Sequence, residues 1–259
     1  MSDSSEELNK FLDVMDTLLG PEGCQWDRKQ THKSLIPYLL EEAHEVIEAI
    51  NEGNQNKLKE ELGDLLLHIV FQAKLSEKED EFKFSDSIRS IREKMIRRHP
   101  HIFSDVEVEN TKDIKQNWEK IKKKEGRKSL MEGLPKSLPS LLFARRIQER
   151  AAEQNFDWKK VEPIWEKIDE ETQELKSAIA KKNQDEIEEE FGDLLFSLVN
   201  LSRFLNINPE EALKITNRKF MSRFQKIEKH IAHVDKDFAN MSLNELDSLW
   251  NKAKDEERS

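Results

Sequence analysis

Apolar residues along this chain recur at steps of three and four instead of alternating, which is the spacing of a helix that buries one face. Leu62, Leu65, Leu66, Ile69 and Val70 form one such stripe. The pattern predicts helices over roughly 6–19, 32–52, 56–77, 85–98, 111–124, 138–154, 163–182, 184–205, 209–232 and 243–256, so the chain reads as all-α. Two starts are marked by chemistry as well. Asn208-Pro209-Glu210-Glu211 offers a cap, a proline at the first helical position and early acids, and Ser242 with Glu245 has capping-box spacing.

Between 122 and 139 the pattern breaks at Gly126, Gly133, Pro135 and Pro139 beside a basic run, as a connection would. The sequences on its two sides repeat each other. Glu41-Glu42-x-x-Glu45 reappears as Glu170-Glu171-x-x-Glu174, and Glu60-Glu61-Leu62-Gly63-Asp64 as Glu189-Glu190-Phe191-Gly192-Asp193, always 129 positions on. The register continues from Leu67–Leu75 into Phe196–Phe204. Lys94 and Arg98 resemble Lys219 and Arg223 after a slip of four residues, and Trp118 resembles Trp250. One helical unit present twice explains this, with a first domain over 5–124, a linker over 125–138 and a second domain over 139–256.

Residues three or four apart share a helix face, so Glu42 projects with Glu45 and Glu61 with Asp64, as do Glu171 with Glu174 and Glu190 with Asp193. A short link through Gly53 and Asn54 makes the two helices antiparallel neighbours and aims four carboxylates into one gap. Such charges repel by roughly 1 kcal/mol per pair in water and more when partly buried. Hard dications with oxygen ligands offset that repulsion, and magnesium also recruits substrate phosphates. In an acidic chain a Glu run is ordinarily a solvated face. Here Glu61 and Asp64 lie within an apolar stretch expected to be largely buried. Gly63 and Gly192 sit inside helices at a cost of about 1 kcal/mol each, which close approach of a backbone or ligand, or plain helix crossing, would explain.

Glu41-x-x-His44 has the spacing of di-iron carboxylate bundles, but its counterpart Glu170-x-x-Gln173 lacks the histidine while keeping the acids, which favours an all-oxygen site. His44 and His68 read as surface or packing residues, and nothing completes a ligand set around His230-x-x-His233. Lys219 with Arg223, and Lys94 with Arg98, stand one turn apart and suit a polyphosphate or an ordinary basic face. Trp118 and Trp250 suit base stacking or core packing. The sequence holds no Walker loop, Rossmann fingerprint or Gly-x-Ser-x-Gly elbow.

Charged residues at 37% outnumber hydrophobic ones at 36%, which suits lean helical units better than one thick core. A formal net charge of −10 argues against stable binding of nucleic acid. With Cys24 alone, neither an internal disulfide nor a cysteine zinc site can form, and a reducing cytoplasm is the expected setting. No apolar run approaches membrane-spanning length, so no membrane association is expected.

Glu-Glu-x-x-Glu followed by Glu-x-x-Asp, twice in one chain, resembles the MazG family of nucleoside triphosphate pyrophosphohydrolases. Gly23-Cys24-Gln25-Trp26-Asp27 through Thr31 and Ser34-Leu35 looks like that family's amino-terminal signature, with Gln25 where proline is usual. The resemblance spans roughly 8–254. It implies an all-α tandem protein that dimerises through its helical bundles and uses Mg2+, with Mn2+ able to substitute, to convert nucleoside triphosphates to monophosphate and pyrophosphate. Carried over by position, it implies metal ligation by Glu171, Glu174, Glu190 and Asp193, and by Glu42, Glu45, Glu61 and Asp64. Glu170 and Glu189 would orient water beside them, Lys167 would line the pocket, Lys219 and Arg223 would bind phosphates, and Trp250 would lie near the nucleotide. Where family members can carry a lysine four before Glu190, this chain has Glu186. The second half is expected to be the stronger site, and house-cleaning of the nucleotide pool the physiological task. A di-iron oxidoreductase and a non-catalytic helical interaction protein are the competing readings.

Overall fold

The computed structural model describes residues 3–257 apart from 105, 107, 109, 127, 234–237, 239 and 240, and describes 111, 112, 115, 116, 119, 120 and 123 by backbone only. Among the described residues every regular element is helical. In order these are α1 (Asp3–Leu19), α2 (Ile36–Glu52), α3 (Gln55–Lys78), α4 (Phe84–Arg98), α5 (Pro100–Phe103), α6 (Thr111–Lys124), α7 (Ser140–Ala152), α8 (Glu162–Lys181), α9 (Gln184–Phe204), α10 (Pro209–His233) and α11 (Leu243–Glu256), with a 3-10 turn at Asp27–Lys29. They divide into two units, Met1–Lys124 and Glu125–Ser259.

In the first unit α2 and α3 form an antiparallel hairpin, and α1 and α4 pack on α3. The hairpin turn is written locally. Gly53 ends α2 at φ 66°, a left-handed conformation that glycine adopts without strain, and the Asn54 side chain accepts from Lys57 N–H at 3.2 Å to open α3. The predicted helix over 32–52 starts later, at Ile36, because Pro37 has no N–H and its ring excludes a preceding helical turn. Residues 31–34 instead close a side-chain turn, with Thr31 N–H donating to Ser34 Oγ and Ser34 N–H to Thr31 Oγ1. A second correction is the four-residue α5, begun by Pro100. Met15, Leu35, Val70, Phe71 and Leu75 form the core, with Phe11 and Phe84 at its edge. A Cβ at Gly23 would meet Leu18 O at 2.1 Å, so only glycine lets the chain turn back against the end of α1.

The second unit repeats the hairpin as α8 and α9, with α7 packed on α9 and α10, and α11 on α10. Ile164, Ile168 and Leu201 form its core with Leu194 and Phe204. Arg150 on α7 donates to Leu130 O at 2.6 Å and Glu132 O at 2.7 Å, fastening part of the connecting segment to this unit. Of the basic run there, Arg127 and the Lys123 side chain lie outside the described residues. Both expected caps form: Asn208 Oδ1 accepts from Glu210 N–H at 3.1 Å, and Ser242 and Glu245 complete a capping box.

The apolar stretch around Glu61 and Asp64 is not largely buried. Val70 is buried, but Leu62, Leu66 and Ile69 are exposed. Their counterparts 129 positions on, Phe191, Leu195 and Leu198, are exposed as well. Helical periodicity separates apolar from polar faces but does not say what covers an apolar face. Gly63 and Gly192 lie on these faces, and a Cβ at either would have no described atom within 4 Å, so the expected close approach does not occur within the described residues.

Candidate functional site

Each hairpin brings three glutamates together. Glu42, Glu45 and Glu61 each offer a carboxylate oxygen within 4.8 Å of the others, and Glu171, Glu174 and Glu190 do the same in the second unit. Asp64 and Asp193 stand outside these tight groups, both exposed. Asp64 still heads the charges that raise the Glu42 pKa after burial itself, followed by Glu45 and Glu61. Glu61 is raised by desolvation and then by Glu45. Glu190 is raised by desolvation and then by Glu174 and Glu171. Crowding that raises the pKa of these acids is what a cation would relieve.

The two units treat that crowding differently. On α8, Lys167 Nζ lies 2.7 Å from Glu171 and 2.9 Å from Glu170, and these hydrogen bonds hold its ammonium well above the usual lysine range. Glu171 itself is only 4% exposed. The position matching Lys167 in the first unit is Tyr38, which brings no charge and stacks on His68 with 7° between the ring planes. His68 Nε2 reaches Glu42 at 4.0 Å, but burial lowers its pKa despite the pull of Asp64, and its Nδ1 is buried without a partner. A neutral imidazole does little for a carboxylate cluster.

Glu170 and Glu189 are exposed beside the second trio. His44 is exposed and belongs to neither group, so the converging donors are all carboxylate oxygens. That donor set fits magnesium. Oxygens about 2.1 Å from the ion stand at most about 4.2 Å apart, so a group within 4.8 Å needs to close by only a fraction of an ångström.

Lys219, Arg223 and Trp250 gather on α10 and α11. Arg223 Cζ lies 5.4 Å from the centroid of the Trp250 ring, which packs on Phe220 at 5.0 Å, and Arg223 Nε donates to Glu257 at 2.8 Å. Lys219 is exposed one turn away. In the first unit Trp118 packs against His99 at 5.5 Å. Glu186, where a lysine was a possibility, pairs with Lys181 at 3.0 Å; the first unit keeps Lys57 at that place.

A cavity of about 770 Å³ opens beside Lys167, Glu171 and Asp193. Among the described residues its walls come from α7, α8, α9, Met131 and the segment 155–158. Among its polar residues outside the acidic motifs are two buried amides. Gln148 and Asn200 are buried, and their only trace in the sequence is a polar side chain at the phase of apolar neighbours on α7 and α9.

The MazG nucleotide pyrophosphohydrolase domain matches this chain twice, over residues 30–103 and 140–227. The nucleoside triphosphate pyrophosphohydrolase/pyrophosphatase MazG of Thermotoga maritima is 48% identical over 257 residues, covering 98% of each chain. The nucleoside triphosphate pyrophosphohydrolase of Escherichia coli is 38% identical over 260 residues, covering 97% of this chain and 98% of its own. The uncharacterized protein YabN of Bacillus subtilis is 46% identical over 256 residues, which are 97% of this chain but 52% of that protein. With the family domain matched on both hairpins and similarity running through nearly the whole length, the chain belongs to the MazG nucleotide pyrophosphohydrolase family.

Proposed function

We propose that this protein hydrolyses nucleoside triphosphates or deoxynucleoside triphosphates to the monophosphate and diphosphate with Mg2+, Mn2+ being able to substitute. The observation that carries this reading is the converging glutamate trio, present on both hairpins of a chain from this family. Glu171, Glu174 and Glu190, with Asp193 beside them, would hold the metal in the second unit, and Glu42, Glu45, Glu61 and Asp64 in the first. When bound, the ion supplies neutralisation of phosphoryl charge and a water of lowered pKa. Glu170 and Glu189, exposed at the rim, orient the attacking water toward the α-phosphorus. Lys167 hands its charge from Glu171 to the incoming phosphates, and Lys219 and Arg223 neutralise the departing diphosphate. Trp250 keeps the Arg223 guanidinium in place from its ring face.

The exposed stripes Leu62-Leu66-Ile69 and Phe191-Leu195-Leu198 support a homodimer formed through the bundles, with Gly63 and Gly192 giving the partner backbone room. The role we assign is clearing the nucleotide pool in the cytoplasm, a reducing setting that the free Cys24 fits; among the described residues no helix is long and apolar enough to cross a membrane.

Product analysis tests the reading. With magnesium, monophosphate and pyrophosphate should appear, and they should vanish with chelator and in the Glu45→Gln, Glu174→Gln double variant. Diphosphate with free phosphate would place the cut at the wrong bond.

A further inference from the structure

The cavity beside the second trio has what a nucleobase needs. Its volume of about 770 Å³ falls within the range of small-molecule sites, about 300–1,000 Å³. Ile147, Ala151 and Phe196 give it apolar walls, and Lys167, Glu171 and Asp193 lie at its edge, so a ligand inside would direct its phosphates at the acids. Phe156, 83% exposed on the same cavity, offers a ring face that no described aromatic covers, with Trp158 next to it.

Two amides inside are oriented by their neighbours. Gln148 is 6% exposed and donates Nε2–H to Phe196 O at 2.8 Å. A carbonyl can only accept, so the other amide atom is Oε1, an acceptor, and it is buried without a partner. Asn200, 9% exposed, accepts from Arg203 Nη2 at 2.8 Å. A guanidinium can only donate, so Oδ1 faces Arg203 and Nδ2–H remains to donate. Arg203 is in turn fixed by Asp157, also on the cavity, at 2.8 Å. Two buried polar atoms of this wall are left unpaired, the acceptor Gln148 Oε1 and the donor Arg203 Nε, and a buried acceptor without a partner marks a place where a ligand donor is missing.

We propose that this cavity receives the base of the nucleoside triphosphate, with Gln148 Oε1 accepting from an N–H on the base edge and Asn200 Nδ2 donating to a neighbouring acceptor. The assignment rests on the triphosphate hydrolysis proposed above and adds where the base goes and what reads it. It leaves Trp250 to support Arg223 and not to stack on the base. The first unit has no equivalent reader, since Asn200 is replaced there by the buried Phe71.

The test uses the full chain with magnesium and compares ATP with purine riboside triphosphate, which lacks the exocyclic N–H. Wild-type KM should be about tenfold lower for ATP, the discrimination of one hydrogen bond to a buried acceptor. In Gln148→Met that preference should disappear, with KM for ATP rising to that for the purine analogue. A wild type with no preference, or a preference that survives Gln148→Met, overturns the assignment. Photolabelling of wild type with 8-azido-ATP needs no variant and decides the matter if Gln148→Met does not fold. Label in the peptide 140–158 is expected; label confined to the Trp250 peptide, or none, overturns the assignment. Loss of pyrophosphate from the wild-type products would instead sink the hydrolase reading, and label in 140–158 would still place the base.

Discussion

The hairpins α2–α3 and α8–α9 carry the same acids in the same register, yet their surroundings differ at three matched positions. Tyr38, His68 and Phe71 in the first unit stand where the second has Lys167, Ser197 and Asn200. In the first, these positions hold an aromatic pair and a phenyl ring buried in the core; in the second, a cation, a hydroxyl and an amide stand among the apolar walls of an open cavity. Duplication preserved the charged edge of the site and let its floor diverge. Carboxylate geometry alone therefore does not make two equal sites, and in the second unit a cavity of about 770 Å³ opens beside the acids.

The largest effect should come from the floor. Phe71→Ala removes a buried ring from the first core and should cost about 3–5 kcal/mol in chemical denaturation, whereas Asn200→Ala should cost about 1 kcal/mol. Equal losses would mean that the two floors are packed alike. Next is chemistry: Glu174→Gln alone should lower the rate of pyrophosphate release about a hundredfold, and Glu45→Gln alone by less than about twofold. Equal losses would show that the filled floor of the first unit does not impede it.

Lys167→Met should then expose the difference in charge. With Lys167 gone, Glu171 is buried without its counter-ion, at a cost of about 2 kcal/mol after allowing for the partial exposure of the lysine. Melting without metal should fall and added Mg2+ should recover most of the loss. Tyr38→Lys should do the reverse in the first unit, and the chemical shift of the Glu42 carboxyl carbon should titrate at lower pH than in the wild type. A melting temperature indifferent to Lys167→Met would mean that the ion pair contributes nothing.

How far the sequence foretells this follows from the range of each interaction. The trios depend on helical spacing and one tight turn, both local, and they are legible as an offset of 129. The start of α2 is legible only if Pro37 is weighted above the apolar stripe that runs through it. Whether Leu62 and Phe191 are core or outer surface depends on what lies against them, and the stripe looks the same either way. Gln148 acts through Phe196, 48 residues away, and no spacing rule reaches that far. Asn200 left a trace, a polar residue between Val199 and Leu201 where the first copy has Phe71, but its meaning depends on the cavity.

The smallest expected effect concerns the helix that covers each hairpin. On α1, Lys10 pairs with Glu6 and Glu7 at the surface, where screening leaves such pairs little weight. On α7, Glu149 is half-buried; burial pushes its pKa up, but Arg145 and Arg146, both hydrogen-bonded to it, outweigh that and hold it below the usual 4.5. A carboxyl depressed on folding stabilises the folded state above its unfolded pKa, and that contribution is lost as pH falls through the folded value. Glu149→Gln should therefore lower protection of α7 amides by less than about 1 kcal/mol at neutral pH and flatten the acid limb below pH 4.5. Hydrogen exchange followed by peptide separates α7 from α1 within one sample. Glu7→Gln should leave the α1 peptides unchanged at both pH values, and a matching acid limb there would show that the surface triad is worth as much as the half-buried one, so that the covering helices, unlike the floors beneath them, had not diverged.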